Sequence, residues 1–155
     1  MSTVYRPNVG IVLLNEQHKV FIGKRIGKST WQFPQGGIHA GEPPIEALYR
    51  ELHEEVGLKK NDVKLIAEID KELQYLFQTP MVKDNGQRYD GQSQRWFLLQ
   101  FIGDEQAINL SATDDPEFDQ WQWVDYWYPL EIIVDFKKAV YQQVLDYFAP
   151  YVTAC

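Results

Sequence analysis

The sequence predicts an α/β protein in which a central mixed sheet lies between layers of helix. Two observations lead to this class. Apolar runs of strand length stand on both sides of one amphipathic helical pattern, and a second helical pattern follows near the end of the chain. Such alternation of strands and helices is typical of layered α/β domains. The chain has no internal repeat, low-complexity tract or linker, so residues 1–155 are expected to form one domain.

Composition narrows the possible functions. The chain is 45% hydrophobic and 14% aromatic, which is too apolar for a disordered protein. Its formal net charge of −7 argues against a broad nucleic-acid binder, since such proteins need a basic surface. A polyanion can still bind locally where metal ions and a few cations meet. The single cysteine, Cys155, indicates a reducing compartment, and with no signal peptide or membrane span in view we expect a cytoplasmic protein.

The first half of the chain predicts a hairpin followed by the central helix. Val9–Leu14 and Val20–Lys24 are apolar runs typical of buried strands, and Asn15–His18 between them is typical of a turn. The helix is expected to begin at Pro43-Pro44, where missing N–H groups cost little, and to end at Gly57. The apolar residues of this helix fall on one stripe, formed by Ile45, Leu48, Leu52 and Val56 with Tyr49 at its edge.

The second half predicts further strands and the last helix. Strands are expected within Val63–Asp70 and at Leu73–Phe77, Trp96–Ile102 and Trp121–Val124. Thr79–Gln94 holds Asn-Gly and Asp-Gly pairs, which indicate an extended loop or an irregular hairpin. Pro129–Ile133 is expected to form a short helical turn. A longer helix is expected to begin at Asp135, to extend to about Phe148 and to end at Pro150.

Three acidic residues on the central helix form the first candidate site. Glu51, Glu54 and Glu55 share one face because their spacing is i, i+3 and i+4, and like charges at this spacing repel. Arg50 is expected to point away from that face. Mg²⁺ and Mn²⁺ prefer carboxylate oxygens and keep waters that a phosphate can displace. Taken alone, the pattern is more typical of a solvated acidic helix face than of a metal site.

The flanking residues favour a metal site. They complete the pattern Gly36-x5-Glu42-x7-Arg50-Glu51-Leu52-x-Glu54-Glu55-x-Gly57-Leu58. This pattern resembles the full motif of the Nudix hydrolases, with every defining position filled. The resemblance implies a Nudix α/β/α sandwich with a central mixed sheet, which agrees with the fold class predicted above.

The resemblance also implies an activity and a set of site residues. Nudix hydrolases cleave phosphoanhydride bonds of nucleotide-containing substrates with Mg²⁺, for which Mn²⁺ or another divalent cation can substitute. By this resemblance the metal ligands are Glu51, Glu54, Glu55, Glu117 from a later loop, and Gly36. One carboxylate would accept the proton of the attacking water. Arg50 is expected to orient the glutamates, through an ion pair with Glu42.

Similarity to one Nudix subgroup extends along nearly the whole chain. The bacterial RNA pyrophosphohydrolases, which convert the 5′-triphosphate or diphosphate end of RNA to a monophosphate and so start mRNA decay, share the segments Tyr5–Gly10, Trp31–Gly37, Gly91–Phe97, Pro116–Trp123 and Phe136–Tyr141. By this resemblance the cations that hold the 5′ phosphates are Arg6, Arg25 and Lys137. The aromatic residues near the first bases, where stacking tolerates any base, are Tyr75 and Phe136.

Other functions stay open. The dinucleoside polyphosphate hydrolases share most of these segments, and Leu76–Tyr89 carries only two basic residues, fewer than an RNA-acting relative would have. A non-catalytic nucleotide sensor would not need the intact set of charged motif residues. A Nudix isomerase would need a cysteine near the site, and Cys155 is badly placed for that. We therefore expect a monomer that binds an RNA 5′ end or a dinucleoside polyphosphate, and neither DNA nor a membrane.

Overall fold

The structure, a computed structural model, describes residues 2–153 of the chain. Its strands are β1 (Tyr5–Leu14), β2 (Val20–Arg25), β3 (Trp31–Gln32), β4 (Gln35–Gly37), β5 (Val63–Glu68), β6 (Leu73–Val82), β7 (Arg88–Phe101) and β8 (Phe118–Val124). Its α-helices are α1 (Pro44–Val56), α2 (Pro129–Ile132) and α3 (Asp135–Thr153), and short 3₁₀ turns lie at Lys60–Asp62 and Glu105–Ala107. Cys155 lies outside the described residues.

The strands form one mixed sheet. Its main path runs β3-β2-β1-β7-β5, while β4 pairs with β1, β6 with β7 and β8 with β2. The central pair β1–β7 is parallel from Tyr5 opposite Gly91 to Leu14 opposite Gln100. The other pairings are antiparallel. The predicted α/β class with a mixed sheet is confirmed.

The two faces of the sheet carry separate cores. Alternate residues of β1 point to opposite faces, as in any strand. On one face the packed side chains include Val9, Ile11 and Leu13 of β1 with Leu48, Leu52 and Val56 of α1. On the other they include Val12 and Leu14 of β1 with Val140, Val144 and Phe148 of α3. Each such side chain contributes about 1.5–3 kcal/mol when fully buried, so both helices are held on the sheet mainly by apolar packing.

Helix α1 begins and ends close to the predicted positions. It begins after Pro43, and Gly57 ends it with a φ of 81° and an N–H that donates to the His53 carbonyl at 2.9 Å. Its buried side includes Glu51 and Glu55 beside the apolar residues. Of the apolar stripe, Leu48, Leu52 and Val56 are fully buried, whereas Ile45 lies in the first turn and is 39% exposed.

Thr79–Gln94 belongs to an irregular hairpin of β6 and β7, the second of the two predicted alternatives. Met81 and Val82 pair with Tyr89 and Arg88, and the register shifts between Leu76 and Met81. β7 therefore begins at Arg88, eight residues before the apolar run that predicts it. The early part of β7 is polar, and it is a strand because it pairs with β1 on one side and β6 on the other.

The end of α3 differs from the prediction. The helix continues to Thr153 with Pro150 inside it, so the prediction that Pro150 ends the helix is wrong. A proline within a helix costs about 3 kcal/mol. Phe148 and Val152 lie in the core on either side of it, and this packing holds the last turn in place. Across residues 2–153, none of the helices combines the length and the apolar character that crossing a bilayer requires.

Candidate active site

A cavity of about 460 Å³ opens where the polar halves of β1 and β7 meet β4, α1 and the start of α3. It brings together residues that are far apart in the sequence. The predicted site residues that line it are Arg6, Arg25, Gly36, Glu51, Glu55, Tyr75, Glu117, Phe136 and Lys137. The two other predicted site residues, Arg50 and Glu54, lie on α1 and are bonded to each other beside it. The fold thus assembles the predicted residues at one place.

Two of the motif carboxylates are buried in the cavity wall. Glu51 is 7% exposed and Glu55 is 6% exposed. Burial raises the pKa of both carboxyl groups because it disfavours the charged form. For Glu55, repulsion from Glu51 and Glu117 raises the pKa further, and a hydrogen bond joins the Glu51 and Glu55 side chains. These groups form a compact acidic cluster in which full ionisation is costly.

Arg50 holds this cluster from outside the cavity. Its Nε and Nη2 donate to the two Glu42 oxygens at 2.8 and 2.9 Å, so the expected ion pair is present. Its Nη1 donates to Glu51 at 2.7 Å and to Glu54 at 3.1 Å. The prediction that Arg50 points away from the glutamates is therefore wrong, because its long side chain reaches across the helix and spans Glu42, Glu51 and Glu54.

The contact with Arg50 strongly lowers the pKa of Glu42. The hydrogen bond with Arg50 is the main cause, and the pKa of Glu42 falls to about 2. The hydrogen bond from the His39 backbone N–H lowers this pKa further, whereas burial raises it. The bond between Arg50 and Glu42 also raises the pKa of Arg50. A two-pronged contact between guanidinium and carboxylate is stronger and more directional than a single ion pair. The loop before α1 is thus tied to the middle of that helix.

The two glycines of β4 make room for charged groups. A Cβ at Gly36 would overlap the Glu51 carboxylate, and a Cβ at Gly37 would overlap the Arg6 guanidinium. Neither position needs glycine for a positive φ. The pair is required because a carboxylate and a guanidinium lie directly against this short strand.

The donor set fits a hard divalent cation. The acidic cluster supplies carboxylate oxygens, which Mg²⁺ prefers, and Glu55 Oε2 is buried without a hydrogen-bond partner in the described part of the chain. Among residues 2–153, no three acidic, histidine or cysteine side chains already converge as ligands. Arg50 holds Glu51 and Glu54, and Arg25 Nε lies 3.2 Å from Glu117 Oε1. A bound cation would take over oxygens that guanidinium groups now contact.

Cations occupy the side of the cavity opposite α1. Lys137 is 7% exposed, and its Nζ donates to Gln32 Oε1 at 3.0 Å. Burial, together with the nearby charge of Arg25, lowers the pKa of Lys137 to about 8. Arg6 lies against Gly37. The cavity therefore places positive charge, including that of the buried Lys137, close to a buried acidic cluster, as a polyphosphate with bound metal would require.

The two predicted stacking residues differ in how much of the ring is open. Tyr75 is 7% exposed, and its ring contacts Phe77 and Phe136 with centroids 5.9 and 5.8 Å away. The Lys137 Nζ lies 5.8 Å from the Tyr75 ring centre. Phe136 is only half-buried. Phe136 thus offers more ring surface to a base than Tyr75 does.

Several polar residues of the site were missed by the sequence reasoning. Asn8, Gln35 and Gln94 join in one side-chain network, in which Gln94 Nε2 donates to Asn8 Oδ1 at 2.8 Å and to Gln35 Oε1 at 3.1 Å. Gln92 Nε2 donates to the Tyr75 hydroxyl at 3.1 Å. Their local sequence holds little signal, since Gln92 and Gln94 have the spacing of one strand face but do not alternate with apolar residues.

Comparison with known proteins places the chain in a family. The model of the NUDIX domain matches residues 4–145. The chain belongs to the Nudix family, whose hydrolases generally use divalent metal ions. An RNA pyrophosphohydrolase of Francisella tularensis is 49% identical over 148 residues, which is 96% of this chain and 96% of the relative. One from Francisella philomiragia matches equally well, at 49% identity over the same length.

Solved structures confirm the fold. An Ap4A hydrolase of C. elegans in a binary complex aligns with a TM-score of 0.65 at 16% identity, covering 96% of this chain and 99% of that one. The dihydroneopterin triphosphate pyrophosphohydrolase of E. coli aligns with a TM-score of 0.67 at 19% identity, covering 92% of this chain and 98% of that one. At such identities the likeness concerns the fold alone.

Proposed function

We propose that this chain is a Mg²⁺-dependent pyrophosphohydrolase that converts the 5′-triphosphate or diphosphate end of RNA to a 5′-monophosphate. The observation that carries the proposal is the cavity, which sets the buried acidic cluster of α1 against Arg6, Arg25 and Lys137. The 49% identity to RNA pyrophosphohydrolases over nearly the full length supports the choice of substrate. We place the reaction in the cytoplasm, where this step would start the decay of a transcript.

The cations bind the 5′ phosphates. Arg6 and Arg25 reach the cavity from β1 and β2, and Lys137 reaches it from the first turn of α3. The guanidinium groups match phosphate oxygens with two donors each, and the ammonium of Lys137 acts as a point charge. A phosphate that binds Arg25 would release Glu117, to which Arg25 is paired. Substrate binding would therefore free one carboxylate of the metal set.

The carboxylates would hold the metal. Glu51, Glu54, Glu55 and Glu117 would supply the oxygens, with the backbone of Gly36 beside them. When bound, Mg²⁺ screens the charge of the phosphate oxygens, lowers the pKa of a bound water and stabilises the leaving phosphate. Arg50 keeps Glu51 and Glu54 in position through the hydrogen bonds described above.

The chemical step is hydrolysis at a phosphorus of the 5′ polyphosphate. A water oxygen forms a bond to that phosphorus while the bond to the bridging oxygen breaks, and the bridging oxygen leaves on pyrophosphate or phosphate. A carboxylate of the acidic cluster accepts the proton that the water loses. Phe136, with its open ring surface, would stack on a base near the 5′ end.

A second candidate substrate is a dinucleoside tetraphosphate, cleaved to ATP and AMP. One observation favours it. Phe77 and Met81 of the β6–β7 hairpin line the cavity, and Arg88 of the same hairpin forms an ion pair with Asp90 at 2.6 Å. This pairing leaves little free positive charge on the hairpin for the backbone of a longer RNA. The hairpin would then cover a short substrate.

A competition assay tests both candidates. Triphosphorylated RNA and diadenosine tetraphosphate are supplied at equal concentration with Mg²⁺, and the products are separated over time. We expect monophosphorylated RNA to form faster than ATP and AMP. The reverse order would assign the chain to dinucleotide hydrolysis. Hydrolysis of neither substrate would refute both candidates and favour a nucleotide sensor.

A further inference from the structure

A chain of buried hydrogen bonds leads from the core to the cavity wall. Trp96 Nε1 donates to Gln94 Oε1 at 3.1 Å. Gln94 Nε2 in turn donates to Asn8 Oδ1 and to Gln35 Oε1. We call these four residues the amide relay. Trp96, Gln94 and Asn8 are each no more than 1% exposed, so bulk water does not set their orientation.

Trp96 fixes the direction of the amide relay. An indole N–H is a donor only, so the Gln94 group that faces it must be the carbonyl oxygen. Gln94 then turns its NH₂ toward Asn8 and Gln35, and both must present oxygen in return. The assignment of oxygen and nitrogen in these amides, which their shape alone leaves ambiguous, follows here from the chemistry of the indole.

The part of the cavity wall formed by Asn8 and Gln35 therefore offers hydrogen-bond donors. With their oxygens engaged, Asn8 and Gln35 have only NH₂ groups left, and both residues line the cavity. Gln35 is half-buried and bonds the Tyr75 hydroxyl. Asn8 lies deeper, and its Nδ2 finds no hydrogen-bond partner among residues 2–153. Buried polar groups in folded proteins nearly always have a partner, so this one points to a ligand.

We infer that the amide relay supplies neutral hydrogen-bond donors to the polyphosphate of the substrate, from Gln35 at the surface of the wall and from Asn8 behind it. The inference rests on the proposed function, because a substrate rich in acceptor oxygens suits the two donor groups of Asn8 and Gln35. Neutral donors bind phosphate oxygens without forming ion pairs with Glu51 and Glu55. A further arginine or lysine there would compete with the metal for those carboxylates.

The test uses isosteric variants of the full chain. Asn8→Asp and Gln35→Glu keep an oxygen for Gln94 and lose the donor. Trp96→Phe removes the indole N–H that orients Gln94, at a position outside the cavity lining. Asn15→Asp is the matched control, since it adds the same charge in the β1–β2 turn and keeps the oxygen that accepts from Gln17 and Lys19.

Binding is measured by calorimetry with inorganic triphosphate in the absence of divalent metal, and KM and kcat with triphosphorylated RNA. We expect the Kd and KM of Asn8→Asp and Gln35→Glu to rise about tenfold or more, because a donor to a charged group is lost and a negative charge is added beside the phosphates. The uncharged variant Trp96→Phe separates these two causes. For Trp96→Phe we expect a rise of about threefold, because the Gln94 amide can then adopt either orientation. The control should change by less than about twofold.

Two outcomes overturn the inference. One is that the Asn8 and Gln35 variants bind triphosphate as tightly as the control does. The other is that Trp96→Phe lowers the melting temperature but leaves Kd and KM unchanged, which would make Trp96 a core residue only. Failure of the proposed function is distinct from both: the unmodified chain would then bind triphosphate, with the expected effects of the variants, and leave RNA intact.

Discussion

The two sides of the cavity are built in different ways. Three of the four carboxylates on the acidic side lie on one helix, α1, and the organising contact of that helix joins Arg50 to a residue only eight positions away. The opposite side joins distant parts of the chain, with hydrogen bonds between Gln94 and Asn8, 86 residues apart, and between Lys137 and Gln32, 105 residues apart. Apart from Glu117, the acidic side is therefore a property of local sequence, whereas the donor side exists only in the folded sheet.

The difference extends to the kind of interaction. The acidic side consists of like charges that repel one another and that Arg50 partly compensates. The donor side combines neutral amides with a few cations, and its direction is set by hydrogen-bond chemistry. We therefore expect changes on the acidic side to act on turnover, and changes on the donor side to act on substrate binding.

The largest effect is expected for Glu51→Gln and Glu55→Gln. Each removes a buried carboxylate that would hold the metal, and metal catalysis supplies several kcal/mol, so kcat should fall about a thousandfold or more. The fold should be retained, because burial already disfavours the charged form at both positions. Turnover at saturating Mg²⁺ and thermal unfolding measure the two effects. Full activity of either variant would contradict the metal assignment.

A smaller effect is expected when one methyl group is added on each side of the cavity. In Gly36→Ala the new Cβ would displace the Glu51 carboxylate, and in Gly37→Ala it would displace the Arg6 guanidinium. We expect the first variant to lose kcat by about tenfold or more and the second mainly to raise KM, since the displaced groups lie at the ends of flexible side chains. Steady-state kinetics on triphosphorylated RNA measures both.

Gly36→Ala and Gly37→Ala also test whether the two sides of the cavity act separately. The two glycines are neighbours on β4, so a general distortion of that strand would change kcat and KM alike in both variants. Such an outcome would show that the two sides of the cavity do not act separately.

The helical side of the site could be predicted because its signals are local. The spacing of Glu51, Glu54 and Glu55 and the proline and glycine at the helix ends are visible within 23 residues. Even there the prediction for the Arg50 side chain is wrong, because helical spacing describes where a Cβ points and not how far a long side chain reaches.

The sheet side could be predicted only in part. The apolar halves of β1 and β7 could be predicted as strands. Their polar halves could not, because Asn8, Gln92 and Gln94 do not alternate with enough apolar residues. Parallel pairing buries those polar residues and lets them bond each other. Partners 86 residues apart leave no local pattern, so neither the amide relay nor its direction could be inferred before the fold was known.

The smallest effect concerns the contact that ties the β4–α1 loop to its helix. The pKa of Glu42 is lowered from 4.5 to about 2, chiefly by the hydrogen bond with Arg50. A carboxyl group with a lowered folded-state pKa stabilises the fold fully at pH values above its unfolded value. That contribution is lost as the pH falls from about 4.5 to about 2.

Glu42→Gln should therefore lower the free energy of unfolding by about 1 kcal/mol at neutral pH, since one ionised partner of a charged hydrogen bond is lost. The difference from the unmodified chain should shrink as the pH falls below about 4.5 and should vanish near about 2. Urea unfolding across this range, with EDTA to exclude metal, measures it. Glu46→Gln removes the same charge from an exposed position of α1 and serves as the control. A difference that stays constant down to the lowest pH would show that Glu42 acts through packing, and that the local charge network is not what holds the acidic side in place.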